Sequence, residues 1–265
     1  MNSFLSIRHN RILGWILWIL LFVSCSSDKN EPDWNLVWSD EFNYTGLPDI
    51  TNWGNEVGFI RNNELQYYTD RRPENASVMN GNLLIIGRKE SYETADYTSA
   101  SLITYGKHSW TYGKIEARIK LPIGQGLWPA FWTLGQNINQ VGWPQCGEID
   151  IMEHINSVDL IYGTAHWLDG EHVSSGGNIS CNVSAYHNYA VEWDKESIKW
   201  FLDGEKYWEL NIKDNLNSTE ELHLPQYIIM NMAIGGAWPG PPDVTTSFPD
   251  TMFVDYVRVY QKAGN

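Results

Sequence analysis

Residues 147–154 read Gly-Glu-Ile-Asp-Ile-Met-Glu-His, and the chain is best read outward from them. In an extended strand successive side chains alternate between faces, so Glu148 and Asp150 point one way and Ile149 and Ile151 the other. Strict alternation would then put Met152 beside the acids and turn Glu153 into the apolar layer. A buried, unpaired carboxylate is costly, and one extra residue inserted as a β-bulge returns Glu153 to the face of Glu148 and Asp150. The stretch therefore predicts a strand bulged at Ile151-Met152, apolar on one side, with three carboxylates in line on the other. Such a line suits glycoside chemistry, in which one carboxylate attacks ionised while another keeps a proton for the leaving oxygen. Asp150, between the two glutamates, is placed to hydrogen-bond Glu148 and to help set how the protons are shared.

The neighbouring segments supply walls for such a site. Residues 124–135 (GQGLWPAFWTLG) predict the strand beside the acids, and Trp128 and Trp132, an even four residues apart, face the same side. Trp143 lies on the loop entering the acid strand, a natural place for stacking on a sugar. On the following strand Thr164 and His166 share a face, and antiparallel pairing brings His166 near the acids. Asn231 offers an amide, and the loop 235–240 carries Trp238 at the rim. Residues 61–68 (RNNELQYY) read as a polar loop over the sheet, with Asn62 among the groups suited to sugar hydroxyls.

Short β-rich runs recur along the rest of the chain, at residues 35–42, 81–88, 99–105, 113–121, 227–233 and 253–260. Residues 194–202 and 205–210 form a hairpin about Asp203-Gly204. There is no long amphipathic helix, repeat or internal linker. The pattern predicts an all-β fold, a single antiparallel sandwich whose concave sheet binds the ligand.

Composition narrows the ligand. The 265 residues include 14 Trp and 14 Tyr, whose flat faces stack on the C–H faces of sugars, and the net charge is −14. A chain so acidic is unsuited to nucleic acid and to strongly sulfated galactans, and compatible with a neutral glycan. A Gly-x-Ser-x-Gly elbow, a phosphate loop and a His-Glu-x-x-His zinc motif are all absent from the sequence, and its seven His are scattered.

Residues 1–25 read as a targeting segment. Arg8 and Arg11 form a basic start, and residues 12–23 are an apolar run too short for a stable span. Phe22-Val23-Ser24-Cys25 resembles a bacterial lipobox, which implies lipidation of Cys25, a tether over residues 26–33 and a folded domain over 34–265. The expected location is the bacterial cell envelope, with simple secretion as the alternative. Cys146 and Cys181 are then left as an even pair in an oxidising compartment, free or bonded.

NNELQYYT, GLWPAFWTLG, GWPQC and GEIDIMEH together resemble glycoside hydrolase family 16, and within it the laminarinase branch of endo-1,3-β-glucanases, over residues 34–262. The motif with Met152 inserted is similar to that of laminarinases and agarases rather than to the shorter lichenase form. The resemblance implies a β-jelly-roll with a cleft across its concave sheet, acting as a monomer. It implies a retaining mechanism, with Glu148 as nucleophile, Asp150 as its assistant and Glu153 as acid/base. The implied substrate is a laminarin-type 1,3-β-glucan cut at internal bonds, with mixed-linkage 1,3-1,4-β-glucan as a second. No catalytic cofactor is implied, but a structural calcium is, held by Glu41, the Gly81 carbonyl and Asp255 on the convex side. Two alternatives stay open: an agarose-type galactan hydrolase or transglycosylase on the same scaffold, and a non-catalytic glycan-binding lipoprotein. Intact Glu148 and Glu153 weigh against the latter.

Overall fold

A computed structural model describes Met1 and residues 34–262. The expected targeting segment, its Cys25 and the tether 26–33 lie outside the described residues. The domain is a jelly roll of two packed sheets. In the 7-stranded sheet the order is Glu171–Ser180, Leu160–Asp169, Glu148–Glu153, Leu127–Gly135, Gln226–Ile234, Ser101–Ile103 and Gly54–Asn55. The 10-stranded sheet runs from Glu205–Asn211 through Ser197–Leu202, His187–Trp193, Gly113–Lys120, Asp250–Lys262, Asn82–Tyr92 and Ala95–Ser99 to Gln66–Tyr68. Trp34–Asp40 adds to Asp250–Lys262, and Ala76–Met79 to Asn82–Tyr92.

Alternation explains the layering. Ile149, Ile151, Met152 and Phe131 of the smaller sheet are buried against Ile115, Val191, Trp193, Trp200 and Val257 of the larger one. Their polar neighbours are left on the outer face of the smaller sheet, which carries the cleft.

The bulge lies where the acid motif requires it. Against Leu127–Gly135, Asp150 pairs with Trp132 and Met152 with Phe131, so one extra residue sits on the acid strand. On its other side Asp150 pairs with Thr164 and Glu153 with Tyr162, where three residues span two. Ile151 and Met152 both point into the core, at 1% and 0% exposure. A bulge leaves ladder groups without their usual partners. The Asp150 carbonyl is satisfied from the other sheet, by the Trp200 indole N–H at 2.7 Å. Close packing behind the site needs glycine at 163, because a Cβ there would lie 2.4 Å from both the Trp200 ring and the Tyr207 hydroxyl.

Three local expectations are corrected. Residues 99–105 are not one strand: the chain leaves the larger sheet after Ser99 and enters the smaller one at Ser101, crossing at the buried Ala100. The loop 61–68 ends in the strand Gln66–Tyr68, which pairs parallel with Ala95–Ser99 in an otherwise antiparallel set among the described residues. Residues 194–196 form a turn rather than the start of a strand, with the Asp194 carboxylate accepting from the Glu196 and Ser197 amides. Cys146 and Cys181 are both free thiols.

Candidate active site

Glu148, Asp150 and Glu153 line one wall of a cleft of about 550 Å³. The rest of the cleft is lined by Trp132, Asn231, Tyr227 and the segment carrying Glu56, Arg61 and Glu64. Each glutamate accepts one indole hydrogen bond. The Trp128 N–H donates to Glu153 Oε1 at 2.9 Å, and the Trp143 N–H donates to Glu148 Oε2 at 3.1 Å. Each glutamate thus keeps one oxygen for other work.

His166 completes the cluster. It pairs across the ladder with Glu148, and its Nε2 lies 3.0 Å from Asp150 Oδ2 and 3.8 Å from Glu148 Oε1. Its other ring nitrogen, Nδ1, is 2.9 Å from His172 Nε2. The Trp143 ring packs on His172 with centroids 4.5 Å apart.

Burial sets the protonation pattern. Loss of solvent, followed by the Asp150 charge, pushes the Glu153 carboxyl up to about 8, opposed by the Trp128 hydrogen bond. Glu148 and Asp150 are also raised, chiefly by burial, and Glu148 further by its charged neighbour Asp150, against the pull of His166 and Arg61. Near neutral pH the three carboxyls together therefore hold fewer than three charges, as acid and nucleophile on one strand require.

The family profile for glycosyl hydrolases family 16 matches residues 53–258. The chain belongs to that family. A beta-glucanase of Rhodothermus marinus is 44% identical over 263 residues, covering 91% of this chain and 92% of its own. The glucan endo-1,3-beta-glucosidase A1 of Niallia circulans is 36% identical over 86% of this chain, which spans 38% of that longer protein. Among solved structures, the laminarinase from Rhodothermus marinus superposes with a TM-score of 0.82 at 43% identity, over 88% of this chain and 99% of its own.

As a family 16 glycoside hydrolase, the protein brings most of the expected cleft residues together. Trp128 and Trp132 share the cleft face, as their spacing requires. Trp132 is 6% exposed, its N–H given to Asn231 Oδ1 at 2.8 Å and its ring covered by the Arg61 guanidinium, 4.9 Å from the centroid. Trp143 and Trp238 are exposed, and Trp238 packs edge-on against Trp128 and Tyr162. Asn62 stands at the cleft with a left-handed backbone (φ 55°), its amide donating to Glu64 Oε1 at 3.3 Å.

Asn231 lines the cleft differently from the expectation. It is 4% exposed, accepting from Trp132 and donating one N–H to the Tyr68 hydroxyl at 3.0 Å, so it helps hold the cleft lining in place.

The other residues at the site come partly from the polar loop 61–68 read from the sequence, and partly from stretches with no usable sequence signal. Glu64 is buried among the Gln66, Tyr68 and Asn62 donors, and burial raises its carboxyl. Arg61 pairs with Glu56, which also accepts from the Ser101 hydroxyl at 2.6 Å. His172 sits in the polar run 171–180, whose Ser, Gly and Asn hide a strand.

The residues expected to hold calcium make other contacts. The Glu41 carboxylate is gripped by the Arg258 guanidinium at 2.8 and 2.9 Å, and Asp255 by Arg118 at 2.6 Å. Calcium favours six to eight oxygen ligands. Glu41 has both oxygens on Arg258 and Asp255 one on Arg118, so a calcium ion held there with the Gly81 carbonyl would compete with these pairs, and no step of the chemistry depends on it.

Proposed function

We propose that this family 16 hydrolase cleaves internal 1,3-β-glucosidic bonds of laminarin-type glucan, with mixed-linkage 1,3-1,4-β-glucan as a second substrate. The observation that carries the proposal is the bulged acid strand, on which two glutamates share a cleft face and each is oriented by its own tryptophan. The relatives named as a beta-glucanase, a laminarinase and an endo-1,3-beta-glucosidase support the substrate class.

In this reading Glu153 holds its proton on the oxygen that Trp128 leaves free and delivers it to the glycosidic oxygen. Glu148 attacks the anomeric carbon, the bond to the leaving sugar breaks, and a glycosyl-enzyme forms. Glu153, now ionised, takes a proton from water as that water displaces Glu148. His166, 3.8 Å from Glu148 Oε1, favours the charged form of Glu148, which the charge on Asp150 opposes. The chemistry needs no cofactor. For the N-terminus we propose lipidation at Cys25 and display on the bacterial envelope, checked by the mass of the mature N-terminal peptide.

Product analysis on laminarin, mixed-linkage glucan, agarose and carrageenan tests the substrate. Oligosaccharides from laminarin, lost in Glu148→Gln, are expected. Products from agarose with none from either glucan would replace the substrate while keeping the mechanism.

A further inference from the structure

We infer that Glu148, Asp150 and His166 form a binding site for a borderline divalent transition-metal ion of the Zn²⁺, Ni²⁺ or Co²⁺ type, and that an ion held there blocks hydrolysis. The inhibitory half rests on the proposed role of Glu148, whereas the binding half does not.

The register creates the site. Glu148 and His166 are direct cross-strand partners, and Asp150 lies two residues along on the same face. One donor atom from each lies within 4.8 Å of the other two, a spread that small side-chain shifts close around one ion. Asp150 Oδ2 supplies a second, independent pointer. The residue is 3% exposed, and this oxygen is buried with no well-directed hydrogen bond, although His166 Nε2 is only 3.0 Å away. A buried carboxylate oxygen facing an imidazole nitrogen across that gap offers two lone pairs to a cation.

The donor set selects the metal class. One imidazole and two carboxylates, with room for water or another ligand, match three-ligand open sites for zinc-like ions. Calcium or magnesium would find only two carboxylates and a nitrogen where they require a shell of oxygens.

His172 makes the imidazole available. With no ion, the His172 Nε2–H can donate to His166 Nδ1 while the His166 Nε2–H faces Asp150. With an ion, His166 carries its proton on Nδ1 and His172 shifts its own from Nε2 to Nδ1, so His166 donates to His172 Nε2, its Nε2 lone pair is freed and the 2.9 Å hydrogen bond is kept. Partners of this kind orient metal-bound histidines and support affinity. Trp143 contributes on the other side, since its N–H occupies Glu148 Oε2 and leaves Oε1 facing His166. The His166 and Glu148 side chains are 20% and 16% exposed, so an ion has access from the cleft. It would sit where the anomeric carbon must approach and would compete with the glycan.

The test is titration of untagged protein with Co²⁺, followed by visible absorption and equilibrium dialysis. One Co²⁺ per chain is expected, displaced by Zn²⁺ and by laminari-oligosaccharide but not by Ca²⁺ or Mg²⁺. His166→Gln should weaken binding at least about tenfold, and His172→Ala, which keeps all three donors, by about 10–100-fold. Zn²⁺ should inhibit laminarin hydrolysis, with EDTA restoring it. Failure of the wild type to bind Co²⁺, or equal affinity in the wild type and both folded variants, overturns the site. Co²⁺ binding as described in a protein inactive on laminarin would refute the substrate and leave the site standing.

Discussion

Glu153 depends on one neighbour that is simple to alter. Trp128 gives it a hydrogen bond that opposes the rise in its pKa caused by burial. Trp128→Phe keeps the ring and removes the N–H, so the carboxyl rises further and the basic limb of kcat/KM moves to higher pH. An unchanged limb would show that another group sets it. Replacing the acid itself, Glu153→Gln, should lower kcat by about 10²–10⁴-fold on unactivated glucan. The same carboxyl makes stability depend on pH. Its proton is held more tightly in the folded state than the ordinary value of 4.5 allows, up to about 8. The contribution of this carboxyl to stability is therefore fully present below 4.5 and is lost as the pH rises toward 8, where the folded state must give up the proton. Glu153→Gln should raise the thermal midpoint at pH 8 and leave it nearly unchanged at pH 4, by roughly 2–4 °C for each kcal/mol regained. At this scale the acids were legible, because alternation and the cost of burying a carboxylate placed all three. His172 was not, since only the fold back at Gly170 brings it onto His166.

The element that matters most is the bulged strand, and the opposite sheet holds it. Trp200 gives its indole N–H to the Asp150 carbonyl, the group the bulge would otherwise leave unpaired in the interior. Trp200→Phe should cost about 1–3 kcal/mol of stability, the usual penalty for a buried unsatisfied polar group. Activity should fall with it, read by chemical denaturation and initial rates on the same preparation. Met152→Ala should cost about 2–5 kcal/mol, because a fully buried side chain leaves a cavity between the sheets. The bulge could be anticipated because the adjacent apolar pair Ile151-Met152 breaks strict alternation, which would otherwise bury Glu153. The strand Glu171–Ser180 could not. One of its faces is exposed and the other packs Ser175 and Gly177 along with Val173 and Ile179, so no clear hydrophobic period marks it. The crossing at Ala100 was equally hidden, because a buried alanine between two serines reads as an uninterrupted strand.

Across the whole molecule, the net charge of −14 and the aromatic cleft select the same class of ligand, a neutral polysaccharide. Sulfated polymers would meet a like-charged surface, and carrageenan should yield no product at low salt. The sandwich, its cleft and the acid motif were all readable because they repeat one rule, alternation across a sheet. The shapes of the segments carrying Arg61 and Trp238 follow no such period and had to come from the structure. The most direct test of the account is to treat the protein with an activated 2-deoxy-2-fluoro laminaribioside and locate the label by peptide mass spectrometry. A covalent sugar on Glu148 is the expected result. A label on Asp150 or Glu153, or none in a protein that hydrolyses laminarin, would contradict it.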